Sequence, residues 1–501
     1  MRYSTFVRSL LALALPLLAI AQDFSEFQKR ITQFTLDNGM HFIVYERHDA
    51  PVASFHTYVK AGSAFDPPSR TGVAHMLARM AFKGSDQIGS AGWPAEKKAL
   101  DAVEEAYDRL EAERAKAPAE SSKVSLYETQ VKIAIQRANA HAIPNAVHSL
   151  LERNGGSQIG ATAGTDAIEY SCSLPSNRIE LWFFLEAERL RHTAFRDFYR
   201  ERDALIEEHR TRVESNPQGR LMQGVLATAF TEHPYGAGGI GRPADLENLR
   251  VRDAEGFFKA HFIPANITVA IAGDVDPAQA QQLSRKYFGV IPGAALPPKL
   301  ATGEPPQREP RQIEVSIKGQ PMLCVAYKRP DQHDKDDAVF DILSVLMNGG
   351  RTGLLQDELI ERKRVAIAAT ARPSVPGTRF EHLFAFLVVP ARDVTVEENE
   401  TALYEMLDGL KSAPPDERRL KRAKAALRAG LIERLATNPE LASVLATAHA
   451  SYGDWRKLFS VLVEIDRVSG ADVQRVAAGY FIAERRTTGY ARPAKQPGVR
   501  P

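Results

Sequence analysis

Cysteine is nearly absent: the 501 residues hold two, Cys172 and Cys324. Two cannot build a cysteine metal site or a disulfide-framed domain, so the chain must fold around a hydrophobic core. Each lies in a strand-like run, EYSCSLP and PMLCVAYK, which reads as two buried free thiols; a single disulfide stays open in an oxidising compartment. An excess of one charge is also lacking. Lys and Arg number 64 against 62 Asp and Glu, a formal net charge of +2, and no basic patch is interleaved with aromatics, so no nucleic-acid partner is expected. Beyond the N-terminus no apolar run approaches the ~18 residues a spanning helix needs, so no membrane span is expected.

The N-terminus itself is informative. Arg2 and Arg8 precede LLALALPLLAIA, and Ala19-Ile20-Ala21 stands before Gln22. This is the pattern of a secretory signal peptide over 1–21, cleaved near Ala21/Gln22, which predicts a periplasmic or secreted protein; a retained anchor is the alternative. The remainder, at 44% hydrophobic and 25% charged residues over the whole chain, has the composition of a globular protein long enough for two to four domains.

ITQFTLDNGMHFIVYERHDAPVASFHTYVKAG reads as strands with a turn at Asp37-Asn38-Gly39. Two charged, helix-favouring segments within about 94–142 predict a helical hairpin, read as a solvated arm. QIGATAGTDAIEYSCSLP is strand-like; Asn177 can cap a helix over RIELWFFLEAERLRH, and FRDFYRERDALIEEHRTRVES is a second amphipathic helix. HFIPANITVAIAGDVDP is a β-branched strand. The proline-rich stretch 291–312 holds little that could pack and reads as a linker. Beyond it the order restarts: strands QIEVSIKG and PMLCVAYKRP, helices DDAVFDILSVLMNG and GLLQDELIERK, strands VAIAATARP and EHLFAFLVVP, two long helices, and a last strand RTTGYARP that echoes NITVAIAGD. The expectation is an internal duplication: an α+β domain over 30–290 carrying the hairpin, and another over 313–495.

Chemistry concentrates in GVAHMLARMAFKG, Gly72 to Gly84. Glu at position 78 and His at position 79 would make this H-x-x-E-H, in which two His one turn apart hold zinc and the Glu is the base. Here His75 is a possible ligand. Ala78 can neither accept a proton nor bind metal, and Arg79 carries a permanent positive charge that repels zinc. Glu201 and Glu208 stand seven residues apart, so on a helix both carboxylates point the same way, flanked by Glu207 and His209. A solvated acidic stripe is the bland alternative.

The mature chain resembles the M16 family, the pitrilysin and mitochondrial-processing-peptidase type of inverted-zincin metallopeptidase. Gly72, Ala74, His75, Phe82, Lys83 and Gly84 fit the family pattern around the first helix; ERDALIEE resembles the run holding the distal zinc Glu; EHPYG and PANITVAIAGD match as well. The resemblance implies a pair of homologous domains, each an antiparallel-rich sheet packed with helices (the LuxS/MPP-like metallohydrolase fold), and dimers enclosing a chamber. It places the distal ligand on Glu208, with Glu201 beside it, the base on Ala78 and the second zinc His on Arg79. A family Asn that holds substrate backbone falls on Gly160. The second-half Arg and Tyr that polarise the scissile carbonyl fall on Ile360 and Ile367.

With base and ligand replaced, neither catalytic residues nor a bound zinc is expected, and Arg79 is expected to pair with Glu208 in the metal's place. The reading is a non-catalytic subunit that binds unfolded peptides or completes the chamber of an active M16 sibling chain, as a heterodimer or homodimer. Two alternatives stand beside it: a zinc endopeptidase rebuilt on His75, Glu208 and Glu207 or His209, and a chaperone-like homodimer.

Overall fold

A computed structural model describes residues 25–300 and 303–494; the segment 1–21 and its cleavage point lie outside the described residues. The chain is α+β and contains two sheets. The first comprises β1 (Ile31–Thr35), β2 (His41–Glu46), β3 (Val52–Val59), β4 (Ser157–Ala163), β5 (Ile168–Pro175) and β6 (Ile267–Gly273), ordered β1-β2-β6-β3-β5-β4. The second comprises β7 (Arg311–Ile317), β8 (Met322–Arg329), β9 (Ala366–Val375), β10 (His382–Pro390) and β11 (Arg486–Pro493), ordered β7-β11-β8-β10-β9. Leaving out β1, the orders superpose strand for strand. In each half the first and last strands pair in parallel (β2 with β6, β7 with β11) while the other neighbours run antiparallel. β6 and β11 are the NITVAIAGD and RTTGYARP strands, so the echo between them is a shared topological position.

One face of each sheet is sealed by a helix from the other half. The helix Pro217–Ala229 lies against β7, β11 and β8, burying Leu221, Val225, Leu226 and Ala229 among Ile317, Cys324, Ala326 and Ala491. The helix Asn438–Tyr452 lies against β6 and β3, burying Leu441, Val444 and Leu445 among Ile43, Tyr58, Ala270 and Ala272. Approach is close: a Cβ on Gly489 would sit 2.5 Å from Val225 Cγ2. The helices Asn438–Tyr452, Lys457–Arg467 and Gly470–Tyr480 were not foreseen in the sequence. The alanine-rich ASVLATAHASY run shows no narrow apolar stripe because the Asn438–Tyr452 helix is buried over most of its circumference.

Other expectations change. The 291–312 segment is no bare tether. Ile291 is buried in the first core, and the Glu304 carboxylate accepts backbone N–H groups from Thr231, Glu232 and His233 while Lys328 Nζ donates to it at 3.1 Å. The hairpin helices Trp93–Arg114 and Ser121–Asn139 are not merely a solvated arm: buried Arg250 joins Glu104, Asp108 and Glu111 of the first helix. Asn177 caps nothing; it lies within a short 3-10 turn, Ser176–Arg178, that leads into the helix Ile179–Arg191. GLLQDELIERK forms a widened turn over Gln356–Arg362 rather than a regular α-helix. Both cysteines are buried and free, one in each sheet. Among the described residues no helix is long and apolar enough to cross a membrane.

Candidate functional site

The motif helix runs Val73–Met80. Val73, Ala74, Met76, Leu77, Ala78 and Met80 are buried, which leaves His75 and Arg79, four residues apart, on the one open face. Gly72 starts the helix at φ +99°, where a Cβ would stand 2.3 Å from Leu246 Cδ2. The Asp66 carboxylate accepts the backbone N–H groups of Gly72 and Ala74 at 2.7 and 2.9 Å, satisfying donors that a helix start leaves unpaired. Downstream, buried Arg196 donates to the carbonyls of Lys83, Ser85 and Ile88 and to Glu96, which fixes the turn carrying Lys83.

Opposite stands the helix Phe198–His209 with Glu201 and Glu208. Arg79 lies between them. Its Nε and Nη2 are 3.0 and 2.9 Å from Glu201 Oε2, and its Nη1 is 2.9 Å from Glu208 Oε2. The remaining carboxylate oxygens also have cations: Lys83 Nζ donates to Glu201 Oε1 at 2.6 Å, and Arg212 Nη1 is 3.1 Å from Glu208 Oε1. Lys83 Nζ also reaches Asp197 Oδ2 at 3.5 Å. Three cations thus alternate with three carboxylates. Burial alone would raise the Glu201 carboxyl, but hydrogen bonds and charge from Lys83 and Arg79 outweigh it and hold it below the ordinary range. Burial pushes the His75 imidazole down; Glu208 opposes this, and Arg212 and Arg79 add to it. His75 Nδ1 is buried with no partner.

These side chains line a cavity of about 400 Å³. Its far wall is Ala161–Ala163 of β4, an edge strand paired only with β5. Zinc needs three donors with free lone pairs plus an open position. Here Arg79 occupies both carboxylates and places a fixed positive charge between them, and His75 is the only nitrogen donor on the wall. The residues present do not fit the ion. Among the described residues no three His, Cys, Asp or Glu side chains form a group that could hold a metal. Ala78 presents a methyl to the cavity, so no base is offered there either.

The site unites His75, Ala78, Arg79, Glu201 and Glu208, and leaves the rest elsewhere. Glu207 is exposed and paired with Arg210, and buried His209 lines a different cavity, so a rebuilt ligand set is not assembled. Gly160 is next to the wall but not in it, and its neighbours Ala161 and Thr162 take that place. Ile360 packs on the second core and Ile367 is exposed; neither lines the cavity. Sequence reasoning missed the roles of Lys83, Asp197 and Arg212. Arg212 lies four residues after Glu208, the helical spacing of an ion pair, and that signal was available.

Comparison with known proteins points to one family. Residues 42–112 match the family model described as "Insulinase (Peptidase family M16)", and residues 248–427 match "Peptidase M16 inactive domain". The zinc protease PqqE of Helicobacter pylori is 28% identical over 302 residues, covering 59% of this chain and 67% of that protein. The probable mitochondrial-processing peptidase subunit beta of Arabidopsis thaliana is 19% identical over 466 residues, covering 91% of this chain and 76% of that protein. A crystal structure of a Helicobacter pylori protease superposes with a TM-score of 0.77 at 22% identity, over 92% of this chain and 99% of that one. The periplasmic protease PqqL from Escherichia coli superposes at 0.68 with 15% identity, over 93% of this chain and 48% of that one. At those identities the structures speak for the fold alone.

Proposed function

This chain belongs to the M16 peptidase family, and from that premise we propose that it is a non-catalytic member: an exported subunit that binds unfolded peptides and completes the chamber of an active M16 sibling. The observation that carries the reading is Arg79, seated between Glu201 and Glu208 where an active member would hold its metal. Removal of a general base alone costs typically 10² to 10⁴ in rate, and here the ligand set is broken as well. Capture without cleavage remains open to the site. The outer edge of β4 offers unpaired main-chain groups beside the cavity, and an extended peptide adds there as a further strand. Export is supported by the N-terminal sequence pattern and accords with the periplasmic origin of one structural neighbour. Pairing is supported by a relative whose name marks it as a subunit.

The test is direct. The purified chain is assayed for zinc by mass spectrometry, for hydrolysis of a flexible quenched peptide with and without added zinc, and for binding of the same peptide by fluorescence anisotropy. Binding without turnover and without stoichiometric metal is expected, with turnover appearing or rising only when the sibling is added. One zinc per chain together with turnover by the chain alone would refute the proposal.

A further inference from the structure

A second cavity, of about 410 Å³, opens where the two halves meet. Its wall runs from His209 and Arg212, past Gln218 and Gln223, to the run Gly238–Gly241, and Arg372 of β9 closes it from the other half. The volume falls in the ordinary range for a ligand pocket, about 300–1,000 Å³, and no Asp or Glu lines it.

Two independent features of this wall suit an anion. Arg372 is exposed, and its side chain takes part in no hydrogen bond or ion pair among the described residues. Gly238 and Gly241 adopt φ of +79° and +104°, and the hydrogen bonds among the described residues include none donated by the backbone N–H groups of Gly238, Gly239, Ile240 or Gly241. Successive backbone N–H groups in a turn can form a concavity that cradles an anion. His209 lines the same wall: its side chain is 3% exposed, its Nδ1 lies 3.5 Å from the Glu214 carboxylate, and its Nε2 is buried with no partner, an acceptor that a water or a ligand N–H would satisfy. A buried polar nitrogen without a partner is costly unless something supplies one.

The position says which anion. Arg212 lines this cavity and the Arg79 cavity alike, and a Cβ on Gly239 would stand 3.9 Å from His75 Cε1, so the two spaces adjoin. A strand added to β4 would lie beside Arg79, with the second cavity adjoining. Resting on the peptide-binding reading above, we propose that the Arg372–Arg212–His209 cavity receives the C-terminal carboxylate of a peptide held along β4. A guanidinium and a cradle of N–H groups recognise a carboxylate by charge-assisted hydrogen bonds, and a terminal carboxylate held there would make the chain select peptide termini over internal segments.

The probe is one fluorescein-labelled flexible peptide in three forms: free C-terminal acid, C-terminal amide, and amide with Asp as its last residue. Wild type is expected to bind the free acid at least tenfold tighter than either amide. Arg372→Ala, at an exposed position, is expected to weaken the acid about tenfold and leave the amide unchanged, with Arg372→Lys recovering part of the loss. Equal affinity for acid and amide would overturn the carboxylate assignment and leave the peptide-binding function standing. An Asp-ended amide as tight as the acid would assign the cavity to side-chain carboxylates and overturn the terminal one. Failure of all three to bind at millimolar concentration would overturn both proposals.

Discussion

Replacing Arg79 by His should turn the site into a zinc site. The guanidinium holds Glu208 Oε2 at 2.9 Å and Glu201 Oε2 at the same distance. The introduced imidazole would stand one turn from His75 and release Glu208, giving two nitrogens and a carboxylate around the vacated position. In metal-free buffer the variant should lose stability, since Glu201 keeps only Lys83 and Glu208 only Arg212. The pairs are half-buried, so the loss should fall between that of a surface pair, about 0–1 kcal/mol, and a buried one, about 3–5 kcal/mol, which gives roughly 1–2 kcal/mol. Added zinc should more than restore it. With Kd of about 1 µM and zinc at about 100 µM, the gain is about 2.7 kcal/mol. Unfolding entropy of about 2.1 cal/mol/K per residue over 501 residues is about 1 kcal/mol/K, so Tm should rise by about 3 °C. Calorimetric titration and scanning fluorimetry measure both quantities. Hydrolysis should remain absent, because Ala78 still supplies no base. A folded Arg79→His variant that takes up no zinc, or a wild type that shows the same zinc-dependent rise, would refute the reasoning that Arg79 stands in the metal's place.

Two further expectations concern the scaffold. Glu304 is pulled down to about 2: burial would raise it, but three backbone N–H groups and Lys328 prevail. A depressed carboxyl stabilises the fold fully above its unfolded value of about 4.5, and the contribution, of order 2–3 kcal/mol, fades as pH falls from there toward 2. Glu304→Gln should therefore lower Tm at pH 6, with the gap from wild type narrowing between pH 5 and pH 3; a gap constant over that range would contradict the assignment. Separately expressed halves, residues 25–290 and 303–494, should each aggregate or fail to fold, and should form a soluble complex when co-expressed. A monomeric half with sharp thermal unfolding on its own would contradict this.

Much of the fold was legible because period and punctuation were strong. The Asp37-Asn38-Gly39 turn, the β6 and β11 runs and the helix Val396–Ser412 follow from local pattern, the last with a Thr395/Glu398 capping box. The exchanged helices were not legible as such. Nothing local in Leu221-Val225 or Leu441-Leu445 says which sheet they will cover, because both sheets offer the same aliphatic face. At the site, the spacing of His75 and Arg79 and of Glu201 and Glu208 gave the helix faces, and the family pattern said that the two faces meet. The second-half residues Ile360 and Ile367 lie away from the cavity wall, and their run lacks the ligand chemistry that anchors an alignment. The ion-pair roles of Lys83 and Arg212 escaped notice since a lone cation on a helix or turn usually faces water.

The reciprocal helix cover also decides what can move. Swinging the halves apart would strip Leu221 and Val225 from one sheet and Leu441 and Leu445 from the other, wetting two apolar surfaces at once. At roughly 25 cal/mol per Å² of apolar area, exposing both surfaces would cost many times thermal energy. A single chain is therefore a fixed jaw. The cavity that both halves wall keeps its shape while empty.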